Sequence, residues 1–362
     1  MKKSALLSLF ASVLLTSAAW AQDKVVNVYN WSDYVDPTAL EDFTKATWIK
    51  VVYDTYDNNE IVETKLLAGK SGYDIVVPSG PFLQRLIEQG VFLPIDRSKV
   101  PELKNAWPEI EKRLQTFDPG NKFAVNYMWG TTGLGYNVKK VKDRLGSTPI
   151  DSWDIVLKPE NITKLKDCGV MMLDAPEDIY PGVLRSLGLD PDSKKAADYQ
   201  KATDALMKVR GNIKKFHSSE YINALANGDI CFVVGYSGDI LQAKKRAEEA
   251  KNGVEIAYAI PKEGALMWFD SMAIPADAPN KDNAFAFINF MMKPEIAARN
   301  SNFVSYASGN LPAKAMVKPE IVNNPGIYPN ADVMGRLFTN SSPDEKLQKQ
   351  ITRQWTKVKT GK

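Results

Sequence analysis

Histidine is nearly absent from this chain of 362 residues, with His217 standing alone. One imidazole leaves no room for a multi-histidine metal site or a His-x-x-x-His pair. A Ser-His-Asp triad would have to use His217, and no Gly-x-Ser-x-Gly elbow supplies its serine. Within Phe216-His217-Ser218-Ser219 it reads as a structural residue at the start of a helix. The glycine fingerprint of a dinucleotide fold and the phosphate loop are also missing. Net charge is scarce, with 46 basic residues against 43 acidic ones. So even a balance carries no broad field for nucleic acid or a membrane surface, and any charge selectivity has to be local. Beyond the first twenty or so residues, no run approaches the ~20 apolar residues that a membrane span requires.

What is present begins with a leader. Lys2 and Lys3 precede the apolar run Ala5 to Ala19, and Ala19-Trp20-Ala21 is a small-x-small cleavage site. Residues 1–21 therefore read as a secretory signal peptide cleaved after Ala21, which predicts an exported protein. No cysteine sits at the cleavage site, which argues against a lipid anchor. The leader removes two of the basic residues and none of the acidic ones, bringing the mature chain still closer to neutrality. Cys168 and Cys231 are the two cysteines. In an oxidising compartment a disulfide is the expectation, and two separate buried thiols are the alternative.

The mature length suggests about two domains of roughly 150 residues. Val25–Tyr29, Ile49–Tyr53 and Tyr73–Val77 read as strands, alternating with helices over 37–45, 61–68 and 82–88. That βαβαβ pattern belongs to a mostly parallel sheet covered by helices, whose ligands bind beyond the carboxyl ends of the strands. Trp31-Ser32-Asp33 and Ser79 fall at two such ends. After the Gly-rich stretch Trp129 to Gly133 a second alternating unit follows, with strands at 170–173 and 230–234. The architecture is thus predicted as α/β, two lobes with a cleft between them.

Three clusters set rings beside an acid: Trp31-Ser32-Asp33-Tyr34, Tyr236-Ser237-Gly238-Asp239 and Met267-Trp268-Phe269-Asp270. A ring face attracts a cation and a carboxylate neutralises it, so together they suit a desolvated organic ammonium. Carboxylate pairs such as Glu177 with Asp178 leave a secreted hydrolase as a rival from a different class.

Several segments carry a resemblance: Asn30 to Tyr34, Ser71-Gly72-Tyr73-Asp74, Phe216 to Ser219, Leu225 to Cys231, Gly235 to Asp239, Ile260 to Gly264 and Asn324 to Pro329. In that order they resemble the periplasmic putrescine/spermidine-binding proteins of ABC importers, from about Val26 to Lys359. The resemblance implies a two-lobed periplasmic binding protein fold, type II-like, that works as a monomer. Catalysis, cofactor and metal are not expected; delivery of putrescine or spermidine to permease subunits at the inner membrane is. It also implies a Cys168–Cys231 bond within the C-terminal lobe. The lobes are expected as 22–128 with about 247–300, and 129–246 with about 301–362. Carried over position by position, the cleft falls on Trp31, Ser32, Asp33, Ser79, Phe82, Glu177, Tyr236, Asp239, Trp268, Asp270 and Tyr306.

Trp268 stands where putrescine-preferring members tend to have Phe, and Asp174 and Asp239 look like spermidine-type choices. Phe82 looks like the putrescine type and Pro81 matches neither. The sum leans to spermidine, with Asp174 added to the expected site; a putrescine-preferring or dual receptor is the runner-up. A sensor that passes its loaded state to a signalling partner is a third reading. Trp48 departs from the Gly that relatives usually carry at a turn suited to positive φ.

Overall fold

The computed structural model describes residues 24–362, so the expected leader and its cleavage site lie outside the described residues. Three strands open the first lobe: β1 (Val25–Trp31), β2 (Lys50–Tyr56) and β3 (Ile75–Val76), with β1 paired in parallel to both others. The helix Pro37–Thr47 between β1 and β2 starts where expected, with Pro at its first turn and the Asp36 carboxylate accepting from the Thr38 amide. It ends on Trp48, which takes φ 59° in the left-handed region and is 86% exposed. The positive φ anticipated at this turn is therefore met by a bulky residue.

The Gly-rich stretch taken as a junction is the middle of the longest strand, β4 (Ala124–Asn137). Its first half pairs antiparallel with β9 (Met267–Ala273) and β10 (Ala307–Ser308), and its second half with β7 (Phe232–Tyr236) and β8 (Ile256–Ala259). Glycine belongs inside this strand because neighbours press on it. A Cβ at Gly130 would lie 2.6 Å from the Trp268 ring, and one at Gly135 equally close to Ile240. The remaining strands, β5 (Val170–Met172) and β6 (Lys215–Phe216), extend the sheet in parallel, giving the order β2-β1-β3-β9-β4-β7-β5-β6.

The hydrophobic cores sort the chain into the two lobes. Val26 to Trp129 and Ala265 to Leu337 fill the cores on the β1 side. Leu134 to Ile256, with Leu347 to Val358, fill the other. This corrects the expected hand-overs near 247 and 301. Ala247 and Ile256 pack with Phe232, whereas the helices Lys281–Met291 and Pro294–Val304 pack with Val26 and Phe43. Only the terminal helix Glu345–Thr360 returns to the second lobe, burying Ile351, Trp355 and Val358. Composition could not reveal this, because both lobes alternate strands and helices alike. Among the described residues no helix is long and apolar enough to cross a membrane.

The disulfide Cys168–Cys231 sits just ahead of the paired strands β5 and β7 in the second lobe, with Cα atoms 5.4 Å apart. It closes a loop over a separation of 63 residues. The chain-entropy account gives such a closure roughly 4 kcal/mol. Replacing both cysteines by serine is therefore expected to lower the unfolding free energy by about 2–4 kcal/mol, read by denaturant melts. An unchanged midpoint would show that the loop is already held by other contacts.

Candidate functional site

Between the lobes lies a cavity lined by residues of both. From the first lobe come Trp31, Ser32, Tyr34, Tyr56, Asp57, Ser79, Trp268, Asp270 and Tyr306. The second lobe adds Asp178, Ser218, Ser219, Ile222, Tyr236 and Asp239.

The carboxylates are held by hydroxyls. Asp270, on β9, accepts from Ser79 at 2.6 Å and from Tyr34 at 2.8 Å. Ser79 occupies the N-cap position of the helix Gly80–Glu88 but makes no capping bond, since its hydroxyl is committed to Asp270. Asp239, in the first turn of the helix Ser237–Ala250, accepts from Tyr306 at 2.6 Å and from Tyr221 at 2.7 Å. The bond from Tyr306 crosses between the lobes, and Gly238 makes room for it. A Cβ there would sit 2.5 Å from the Tyr306 ring. Asp178, in the first turn of the helix Pro176–Ser186, accepts from Tyr236 at 2.9 Å.

Burial pushes Asp270 up to about 7 and Asp239 up to about 6, even though the donating hydroxyls pull the other way. Asp178 is raised as well, by burial first and then by the nearby charges of Asp270 and Glu60. The four tyrosines are driven further from ionisation by the same burial, so they remain neutral donors. Rings complete the walls. Trp268 packs edge-on against Tyr236 at 5.6 Å and against Tyr306 at 5.2 Å, and Tyr306 meets Tyr34 at 5.2 Å. The Trp31 indole donates to the Val77 carbonyl, which fixes its ring against Tyr56. The Ser218 hydroxyl is buried without a partner.

No lysine or arginine among the described residues makes an ion pair with any of the three acids; the neighbouring pairs use other carboxylates. Buried carboxylates without counter-ions are costly. A cavity with acids in two lobes and aromatic walls is therefore organised to take a small cation bearing more than one positive group.

Of the expected site, Trp31, Ser32, Ser79, Tyr236, Asp239, Trp268, Asp270 and Tyr306 meet at this cavity. Four others do not. Asp33 is not part of its lining and pairs with Arg246 of the opposite lobe at 2.9 Å, where both side chains are partly exposed. Phe82 is core, its ring lying 4.2 Å beneath Arg85. Asp174 is occupied by Trp355 Nε1 at 2.8 Å and by Lys359 at 2.9 Å. Glu177 lines a separate hollow beside Phe82, Arg85 and Asn340. Tyr34, Tyr56, Asp57, Asp178, Ser218, Ser219 and Ile222 were not anticipated, although Tyr34 stands in the first ring-and-acid cluster and Asp178 in the pair noted above. His217 behaves as expected for the start of a helix: its Nδ1 accepts from the Ser219 and Glu220 amides.

An exposed pair such as Asp33–Arg246 contributes ~1 kcal/mol at most. Asp33→Ala should therefore weaken ligand binding by no more than about fivefold. A loss of a hundredfold in equilibrium titration would return Asp33 to the ligand's first contacts.

Two lobes closing on a cavity of this chemistry define a receptor for a small solute. The chain belongs to the family of bacterial extracellular solute-binding proteins, whose model matches residues 38–329. It is 55% identical over 344 residues to the putrescine-binding periplasmic protein PotF of Escherichia coli (strain K12), covering 94% of this chain and 93% of that one. With the putrescine-binding periplasmic protein SpuD of Pseudomonas aeruginosa (strain UCBPP-PA14) it shares 53% identity over 343 residues, 94% of each chain. Among solved structures, it is similar to the spermidine/putrescine ABC transporter substrate-binding protein PotD of Streptococcus pneumoniae. There the TM-score is 0.75 at 33% identity, covering 93% of this chain and 99% of the other. The family is one of solute-binding proteins, not of enzymes, which removes the secreted hydrolase.

Proposed function

We propose that the protein is a periplasmic receptor for a short linear polyamine, putrescine in preference to spermidine, and that it delivers this ligand to the permease of an ABC importer. The observation that carries the reading is the set of three buried carboxylates, walled by rings and with no ion-pair partner among the described residues. Protonated diamines bring two ammoniums to such a site, and their methylenes lie against Trp31, Tyr236 and Trp268. Export by the leader through Ala21 and action as a monomer complete the proposal.

The expected preference for spermidine is set aside. It rested partly on Asp174, which is already neutralised by Lys359. Relatives named for putrescine match at 55% and 53%, while the solved spermidine/putrescine relative matches at 33%. Trp268 and Asp239 remain as the features that favoured spermidine.

Calorimetric titration of the mature protein with putrescine, cadaverine, spermidine and agmatine tests the reading. Tightest binding by putrescine is expected. No heat from any of them would overturn the polyamine assignment, and tighter spermidine binding would overturn the preference.

A further inference from the structure

The cavity holds more acid than a diamine can neutralise. Beside the half-buried Asp57, which accepts from Ser32, the buried acids Asp178, Asp239 and Asp270 line it, and a dication accounts for two of these three. Their surroundings are unequal. Asp239 accepts from two tyrosines, and Asp270 from a serine and a tyrosine. Asp178 accepts from Tyr236, has the otherwise unpartnered Thr132 hydroxyl beside it, and is 7% exposed. Both Asp178 and Asp239 stand in the first turn of a helix, so helix ends do not separate them.

The groups that face Asp178 are Glu177 on its own helix, Glu60 on the helix Asn59–Leu67, Asp270 on β9, Tyr236 at the end of β7 and Thr132 on β4. None of these is basic. Each of the three buried acids has two hydroxyls near it, so the one with the most negative neighbours is the one that keeps its proton. Burial and the charges of Asp270 and Glu60 raise it in the same sense.

We propose that Asp178 sets the ligand charge that the cavity accepts, remaining a neutral carboxylic acid around a diamine and giving up its proton to a ligand that brings a third ammonium. The inference rests on the polyamine reading. Putrescine then binds with Asp239 and Asp270 ionised and the Asp178 hydroxyl retained. Spermidine binds with all three ionised, the third proton going to solvent. The preference between the two ligands becomes a function of pH, with the spermidine-to-putrescine affinity ratio rising about tenfold per pH unit while Asp178 is protonated.

Proton release measured by calorimetry at pH 5, in buffers of different ionisation enthalpy, tests this. The wild-type protein should release one proton more with spermidine than with putrescine. Asp178→Asn should release the same number as wild type with putrescine and one fewer with spermidine. A wild-type protein that releases one more proton than Asp178→Asn on putrescine binding would overturn the proposal, as would equal release for the two ligands in the wild type. Absence of spermidine binding at every pH from 5 to 8 would also overturn it. Should Asp178→Asn fail to fold, infrared difference spectra of the wild type decide. A carboxylic acid C=O band that persists with putrescine and vanishes with spermidine supports the proposal; its loss with both rejects it. Failure to bind any polyamine is a separate outcome, and it would overturn the functional reading itself.

Discussion

Alanine at Asp270 is expected to cost ~2–5 kcal/mol of polyamine affinity, roughly 30-fold to several thousand-fold. The loss is large because Asp270 is 5% exposed, so an ammonium facing it has left its water behind. The Ser79 and Tyr34 hydroxyls donate to it, and removal leaves both of them, as well as the ligand, without an acceptor. Asp239→Ala should behave alike, since Tyr306 and Tyr221 would lose theirs. Asp270→Asn separates charge from shape: it should remain close to alanine in affinity while restoring part of the thermal stability. Titration of either alanine variant within a few-fold of wild type would remove these acids from the site.

A second large effect concerns pH. Asp239 and Asp270 have carboxyls raised to about 6 and about 7 in the ligand-free protein. A raised carboxyl means that the folded protein holds more protons than the unfolded chain between about pH 4 and pH 7. The contribution of these two groups to ligand-free stability therefore falls as pH climbs through that window. A dication needs both ionised, so binding is fullest above pH 7 and weakens below it. From pH 8 to pH 5 the loss should approach ~1000-fold, about a hundredfold from Asp270 and tenfold from Asp239. The gain in melting temperature on saturation should widen from pH 5 to pH 8 in parallel. Affinity that stays flat across this range would mean that both acids are already ionised before the ligand arrives.

Much of the architecture was legible because the first lobe advertises itself. Apolar strands at 25–29 and 49–53 alternate with a capped helix, and that pattern has few other solutions. Ser79 and Trp31 were found by the same logic, as residues at strand ends. The exchange of segments between lobes was hidden, because nothing in the helices Lys281–Met291 or Pro294–Val304 says which sheet they cover. Adjacent acids were a second blind spot. On the helix Pro176–Ser186, Glu177 and Asp178 point about 100° apart, so a small rotation of the helix decides which one faces the cavity. The resemblance selected Glu177; the packing turns Asp178 inward. Asp174 failed for a different reason. Its partners Trp355 and Lys359 arrive from the far end of the chain, and no local pattern announces them.

The return of residues 345–360 to the second lobe has a consequence for how the molecule is made. That lobe lacks Ile351, Trp355 and Val358 until the terminal helix is available, and the first lobe lacks β9 and β10 until residue 308. Neither half can complete its core as the chain emerges, because each waits on distant sequence. Completion of both cores thus waits until almost the whole polypeptide is out, and the last element to appear is one that seals a core.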